Sequence, residues 1–319
     1  MNTLRYGTTK ENVVSLLVVT PQGDMFRTRR EVRKSSSGYE LNQLYMGSEG
    51  TLGIICELTL RLQRVLPFRS GGLLPFADVR AAVSTVVEAV HTDPPSLLRC
   101  ELLNAEGVEC TNVMFRTSLQ ELPTLFLEFR GSQHADLRRD FDSISAIAAR
   151  HGCLSEHQRF AASGDELDEI WEARRGCYFA AAMYSGKKGD RLWTGDVCVP
   201  VPHLAECVAD AEAEVRLNGF KPVICAHIAD GNFHCVVPHQ PNEREAVRKI
   251  EQRLVDRALQ LGGTVTGEHG VGIGKVHHSC IEHGQVHIAV QQAVKKALDP
   301  LGIMNPGKVL LMESASTER

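Results

Sequence analysis

The sequence holds no apolar stretch near the ~20 residues that a membrane-spanning helix needs, which excludes that class. It has no run of Lys and Arg longer than a few residues. With 35 basic against 39 acidic residues, a formal net charge of −4, it has no electrostatic footprint for nucleic acid. Its ten cysteines include no CxxC pair and no framework spacing, so they read as reduced, mostly buried thiols of a reducing compartment. Internal repeats and low-complexity tracts are missing. The opening MNTLRYGTTKENV has neither the apolar core of a secretory signal nor a clear Arg/Ser-rich transit pattern. What remains is an ordinary globular composition. It is 43% apolar and 23% charged over 319 residues, enough for two domains or one large one with a substantial core.

Strand and helix signals interleave along the chain. NVVSLLVVTPQGDMF reads as a strand, a Pro-Gln-Gly-Asp turn and a second strand. After the Gly-rich GSEGTLG, residues 55–62 alternate as a half-buried strand, with Cys56, Leu58, Leu60 and Leu62 on one face. Pro67 and the Ser70-Gly71-Gly72 cluster mark the expected domain boundary. Helices are expected over Val79–Val90, Asp136–Arg150, Pro202–Leu217, from an Asn242 cap to Leu261, and over Val286–Leu298, with a strand at 124–130. Hairpin turns among these elements favour α+β over a doubly wound parallel sheet.

The strongest local signal is CAHIADGNFHCVV, residues 225–237. Two β-prone runs flank Asp230-Gly231, a favoured two-residue hairpin turn. With that turn, His227 faces His234, with β-carbons about 4.5–5.5 Å apart on one face of the sheet. Two imidazoles so placed can share a metal ion. Further on, TVTGEHGVGIGK sets Glu268 and His269 between glycines that allow close backbone approach to a ligand. Glu268 would complete a two-His-one-carboxylate set with open positions for substrate oxygens. His269 suits removal of a hydroxyl proton.

Plainer readings compete. A hairpin with two histidines can hold surface side chains. Cys225 and Cys235 flank the pair, so a closed Cys₂His₂ zinc site is an alternative, although alternation puts Cys235 on the face away from His234. In IWEARRG, Trp171 and Arg174 lie at helical spacing. An Arg fork suits a substrate carboxylate, while a solvated charge is the default. The amides of GSEGTLG suit an anion, and a strand-entry turn is the plain alternative.

Seven segments, in order and over essentially the whole chain, carry a resemblance: LRYGTTKENV, RKSSSGYELNQLYMGSEGTLGII, TLFLEFRGS, DVCVPVPHL, HIADGNFH, TGEHGVGIGK and LDPLGIMNPGKVL. Together they resemble the FAD-linked D-2-hydroxy-acid dehydrogenases of the vanillyl-alcohol-oxidase flavin fold. DVCVPVPHL and DGNFHCVV are most similar to the mitochondrial, cytochrome-linked D-lactate branch. The resemblance implies a divalent metal, zinc or manganese, on His227, His234 and Glu268, with His269 as base and Arg174 on the substrate carboxylate. It implies FAD contacts at Glu49, Gly50, Gly53, Ile54, Ile55 and Asn305. It implies an α+β architecture: part of a PCMH-type FAD-binding domain (1–66), an α+β FAD-linked oxidase cap (67–285), and a helix and tail returning to the flavin domain (286–319). The implied reaction is oxidation of D-lactate to pyruvate, with electrons passed to cytochrome c or another carrier in mitochondria. Tyr178 and Thr194, where relatives acting on larger dicarboxylates carry other polar or basic groups, favour a small substrate over D-2-hydroxyglutarate. The family's glycine-rich pyrophosphate loop lies upstream of LRYG and is expected to be absent here. A truncated, catalytically inactive binding or structural fragment is the alternative, and a zinc-only hydrolase a third.

Overall fold

The computed structural model describes residues 2–162, 164–184 and 191–312. It divides into two compact units. The smaller comprises Tyr6–Arg64 and the chain from Glu268, the larger Val65–Gly267 with the first five residues. Among the described residues no helix is long and apolar enough to cross a membrane. The ten cysteines are free thiols, most of them buried.

In the smaller unit the apolar run Val13–Val19 (β1) is the central strand of an antiparallel sheet. Met25–Arg27 (β2) pairs on one side and Ile54–Leu60 (β3) on the other. The expected Pro21–Asp24 turn joins β1 to β2, closed by Thr20 N–H on Asp24 O at 2.8 Å. Leu16, Val18, Tyr45 and Leu52 fill a small core, with Val294 and Leu298 of the last helix against it. β3 corrects the expectation of a half-buried strand: six of its seven residues are exposed. Among the described residues β1 is its one strand partner, and its apolar side chains are left largely open.

The last helix, expected from 286, spans Val276–Leu298, with Gly284 at φ 75, ψ 170 breaking it inside. The sequence pattern thus found its second half. Lys295, 5% exposed, ties that half to the rest of the unit. Its Nζ donates to Thr51 O and Met304 O, both at 2.7 Å, and pairs with Asp299. Burial opposes ionisation of Asp299. Lys295 and the amides of Met304 and Ile303 outweigh it and hold the carboxyl below the ordinary aspartate range.

The larger unit is built on one seven-stranded antiparallel sheet. Its strands are Phe68–Pro75 (β4), Leu97–Leu103 (β5), Thr124–Gly131 (β6), Arg159–Ala161 (β7), Arg191–Cys198 (β8), Val223–His227 (β9) and Asn232–His239 (β10), in the spatial order β7-β4-β6-β5-β9-β10-β8. An all-antiparallel sheet among helices is the expected α+β class. Helices Val79–His91, His134–Arg150, Leu204–Leu217 and Arg244–Gln260 cover one face. Helices Ala105–Phe115, Gly164–Arg175 and Cys177–Tyr184 cover the other.

Strand alternation therefore feeds two cores. Leu125, Leu127 and Phe129 of β6 enter the first, and Phe126 enters the second beside Trp171. Full burial of a side chain such as Phe126 contributes about 1.5–3 kcal/mol. Asp78 and Asn104 cap their helices through Ala81 N and Gly107 N.

Two local expectations change. Ser70-Gly71-Gly72 is not a linker but the middle of β4. A Cβ at Gly71 would sit 2.3 Å from Leu167 Cδ1, and one at Gly72 would sit 2.2 Å from Phe141 Cε2. Helices press on this strand from both faces, and glycine makes the room. Asn242 is not the cap of its helix either. A capping box between Gln240 and Glu243 precedes the start at Arg244.

Candidate active site

β9 and β10 pair antiparallel as expected, but their connection is longer than two residues. Ile228–Asp230 forms a single 3₁₀ turn and Gly231, at φ 78, closes it. Ile228 is fully buried in the first core, and this turn is what delivers it there. His227 consequently stands opposite Asn232, and His234 opposite Cys225. The pairing moves by two positions, and side chains alternate with period two, so both imidazoles keep the same face. Their ring centroids are 5.3 Å apart with planes at 84°. Cys225 belongs to the core on that face and Cys235 to the opposite one, so the two cysteines do not gather around the histidine pair.

Two buried carboxylates back the pair. Glu101 on β5 is 1% exposed, and its oxygens lie 3.0 and 2.9 Å from His227 Nδ1. Arg174 Nη2 donates to the same carboxylate at 2.6 Å. Burial opposes ionisation of Glu101, but the adjacent Arg174 and His227 outweigh it and hold its pKa below the usual value. Arg174 is therefore no solvated charge: it is 5% exposed, and among the described residues its buried Nε has no hydrogen-bond partner.

Asp196 on β8 stands directly opposite His234, with Oδ1 3.5 Å from Nδ1. It accepts from Asn232 Nδ2 at 2.8 Å, Thr266 Oγ1 at 2.7 Å and Gly267 N at 2.9 Å. Glu268 and His269, both exposed, follow Gly267 directly in the chain. The histidine pair fits a divalent cation. Two nitrogen donors share one face, and one ring is fixed through Nδ1 by a buried carboxylate, as metal-bound histidines generally are.

In the smaller unit the two glycine-rich loops grip each other. The carboxylate of Glu49, itself at φ 51, accepts from Val271 N at 2.7 Å and Gly272 N at 2.8 Å. Gly270 lies against this carboxylate at φ 78, the left-handed region that favours glycine. Asn305 Nδ2 donates to Glu49 O at 2.6 Å. The anion-holding amides are thus those of Val271 and Gly272, and GSEGTLG supplies the anion. Glu49, Gly50 and Asn305 meet at one spot, while Ile54 and Ile55 are exposed on β3. An apolar strand surface beside exposed backbone fits a flat aromatic cofactor such as a flavin.

The family described as FAD linked oxidases, C-terminal domain, matches residues 67–309. The chain belongs to this family. Among curated relatives it is 36% identical to a probable mitochondrial D-lactate dehydrogenase of Danio rerio, over 100% of this chain and 64% of that protein. It is also 36% identical to the mitochondrial D-lactate dehydrogenase [cytochrome] of Arabidopsis thaliana, over 96% of this chain and 54% of that one. The chain thus spans between half and two thirds of the length of these relatives. Among solved structures, p-cresol methylhydroxylase with substrate bound superposes with a TM-score of 0.71 at 16% identity, over 97% of this chain and 68% of that one. Alkyldihydroxyacetonephosphate synthase gives 0.65 at 17% identity, over 96% and 55%. These two likenesses show the fold alone.

Sequence reasoning missed Glu101 and Asp196, the carboxylates beside the histidine pair. The available signal was a carboxylate inside a β-prone apolar run, LLRCELL in one case and TGDVC in the other. Such a group is costly to bury unless it has partners.

Proposed function

We propose that this chain serves the FAD-dependent oxidation of a D-2-hydroxy acid, D-lactate to pyruvate, with cytochrome c as electron acceptor and mitochondria as the location. The observation that carries the reading is the histidine pair on one face of the sheet, with Arg174 joined to it through Glu101. The names of the relatives, mitochondrial and cytochrome-linked D-lactate dehydrogenases, support the substrate, acceptor and location.

In this reading His227, His234 and Glu268 hold a zinc or manganese ion, and Glu49, Gly50, Gly53, Ile54, Ile55 and Asn305 border the FAD. The chemistry these groups supply when bound is polarisation of the substrate hydroxyl by the metal and acceptance of the C2 hydride by FAD. Arg174 grips the substrate carboxylate; its buried Nε, without a partner among the described residues, is a donor for that bond. Binding at both ends of the hydroxy acid fixes its orientation. His269 removes the hydroxyl proton. Tyr178, 46% exposed, and Thr194 are the polar contacts that suit a small acid such as lactate.

His269→Ala in the FAD-loaded enzyme should lower turnover by about 10²–10⁴-fold and leave metal content nearly intact. A variant turning over D-lactate at near-native rate would remove His269 from the role of base. Equal activity on L-lactate would remove the stereochemical assignment.

A further inference from the structure

Two glutamates lie buried on the same face of the seven-stranded sheet, and their surroundings differ. Glu128 on β6, 1% exposed, is held between Arg69 and Arg99, and Arg99 lies over the Trp171 ring at 4.1 Å. Glu101 is equally buried. It meets one arginine, Arg174, and brings both carboxylate oxygens within 3.0 Å of His227 Nδ1. Pairing with Arg174 alone would satisfy it as a structural charge. A histidine in the place of Glu128's second arginine is what distinguishes it.

We propose that Glu101 is a positioning residue. It fixes His227 as the Nδ1–H tautomer, so that Nε2 is the ligating nitrogen, and it ties that ring to Arg174, so that one carboxylate orients both the metal ligand and the arginine of the substrate subsite. The inference rests on, and deepens, the metal-site reading above. A carboxylate paired with a guanidinium has no proton to give, so the bond to His227 runs from Nδ1–H to the glutamate. In a neutral imidazole the lone pair is then on Nε2, on the far side of the ring. His227 ends β9, where the backbone leaves the sheet for the 3₁₀ turn, and Glu101 anchors its ring from the neighbouring strand β5. Outer partners of this kind typically change metal affinity by about 10–100-fold when removed.

The test is a Zn²⁺ titration of the chain against a competing chromophoric chelator, for the wild type, Glu101→Gln and Glu128→Gln, with folding checked by circular dichroism. The ¹⁵N shifts of the histidine rings in the metal-free wild type give a second readout. Glu101→Gln should bind Zn²⁺ about 10–100-fold more weakly. Glu128→Gln, which alters a neighbouring buried carboxylate on the same sheet face that is paired with arginines and not with a histidine, should keep wild-type affinity. His227 should show protonated Nδ1 and bare Nε2. Wild-type affinity in folded Glu101→Gln, an equal loss in Glu128→Gln, or an Nε2–H tautomer at His227 would each overturn the proposal. A wild type that binds no Zn²⁺ while His227 shows the Nδ1–H tautomer would leave Glu101 in place and overturn the metal-site reading instead.

Discussion

The two units read alike in sequence and bury their strands in opposite ways. In the larger unit β6 is buried along almost its whole length, because helices lie on both faces of its sheet. In the smaller unit β3 carries the same kind of apolar residue and leaves it open. Ile54 is 56% exposed and Leu58 48%. Alternation in a sequence says which side chains share a face. Whether that face is covered depends on layers contributed by distant parts of a chain. Apolar burial is therefore the stabilising element of the larger unit. The smaller one has a small apolar core and two polar ties beside it: Lys295 with Asp299, and Glu49 with two amides.

The contrast can be broken by substitution. Phe126→Ala, in the fully covered sheet, should destabilise the larger unit by about 3–5 kcal/mol in urea unfolding. A loss below about 1 kcal/mol, the level of ordinary surface changes, would mean that the second face of the sheet is not a core. The next effect is a pH dependence in the smaller unit. Asp299 has its pKa lowered in the folded state, with Lys295 and two amides overcoming the opposing effect of burial. Its contribution is present above the unfolded-state pKa and disappears as pH falls through the lower folded-state value. Asp299→Asn should flatten that acid limb of the stability curve. An unchanged acid limb would show that this pair does not hold the unit. Smallest is Leu58→Thr on β3, expected within about ±0.5 kcal/mol of the wild type. A cost of core size there would mean that β3 is covered in solution.

Much of the fold was legible because periodicity is local. The helix expected over 136–150 spans His134–Arg150, and the one expected over 79–90 spans Val79–His91. What failed depended on tertiary context. Asp230-Gly231 has the chemistry of a tight turn, yet burial of Ile228 selects a longer connection. Ser70-Gly71-Gly72 has the composition of a linker, yet Leu167 and Phe141 make those glycines a packing requirement. The histidine pair survived the error in turn length because a slip of two conserves the face. For Glu101 and Asp196 the sequence marked a carboxylate in an apolar run but not its partner. The first meets His227 across 126 positions and the second meets Gly267 across 71, distances over which no spacing rule operates.

The most direct test of the histidine pair as a shared cation site is the metal-to-protein ratio of the zinc-dialysed chain, measured by elemental analysis for the wild type and a folded His234→Ala variant. A stoichiometric wild type and an empty variant are the expected result. Equal metal in both would contradict the site.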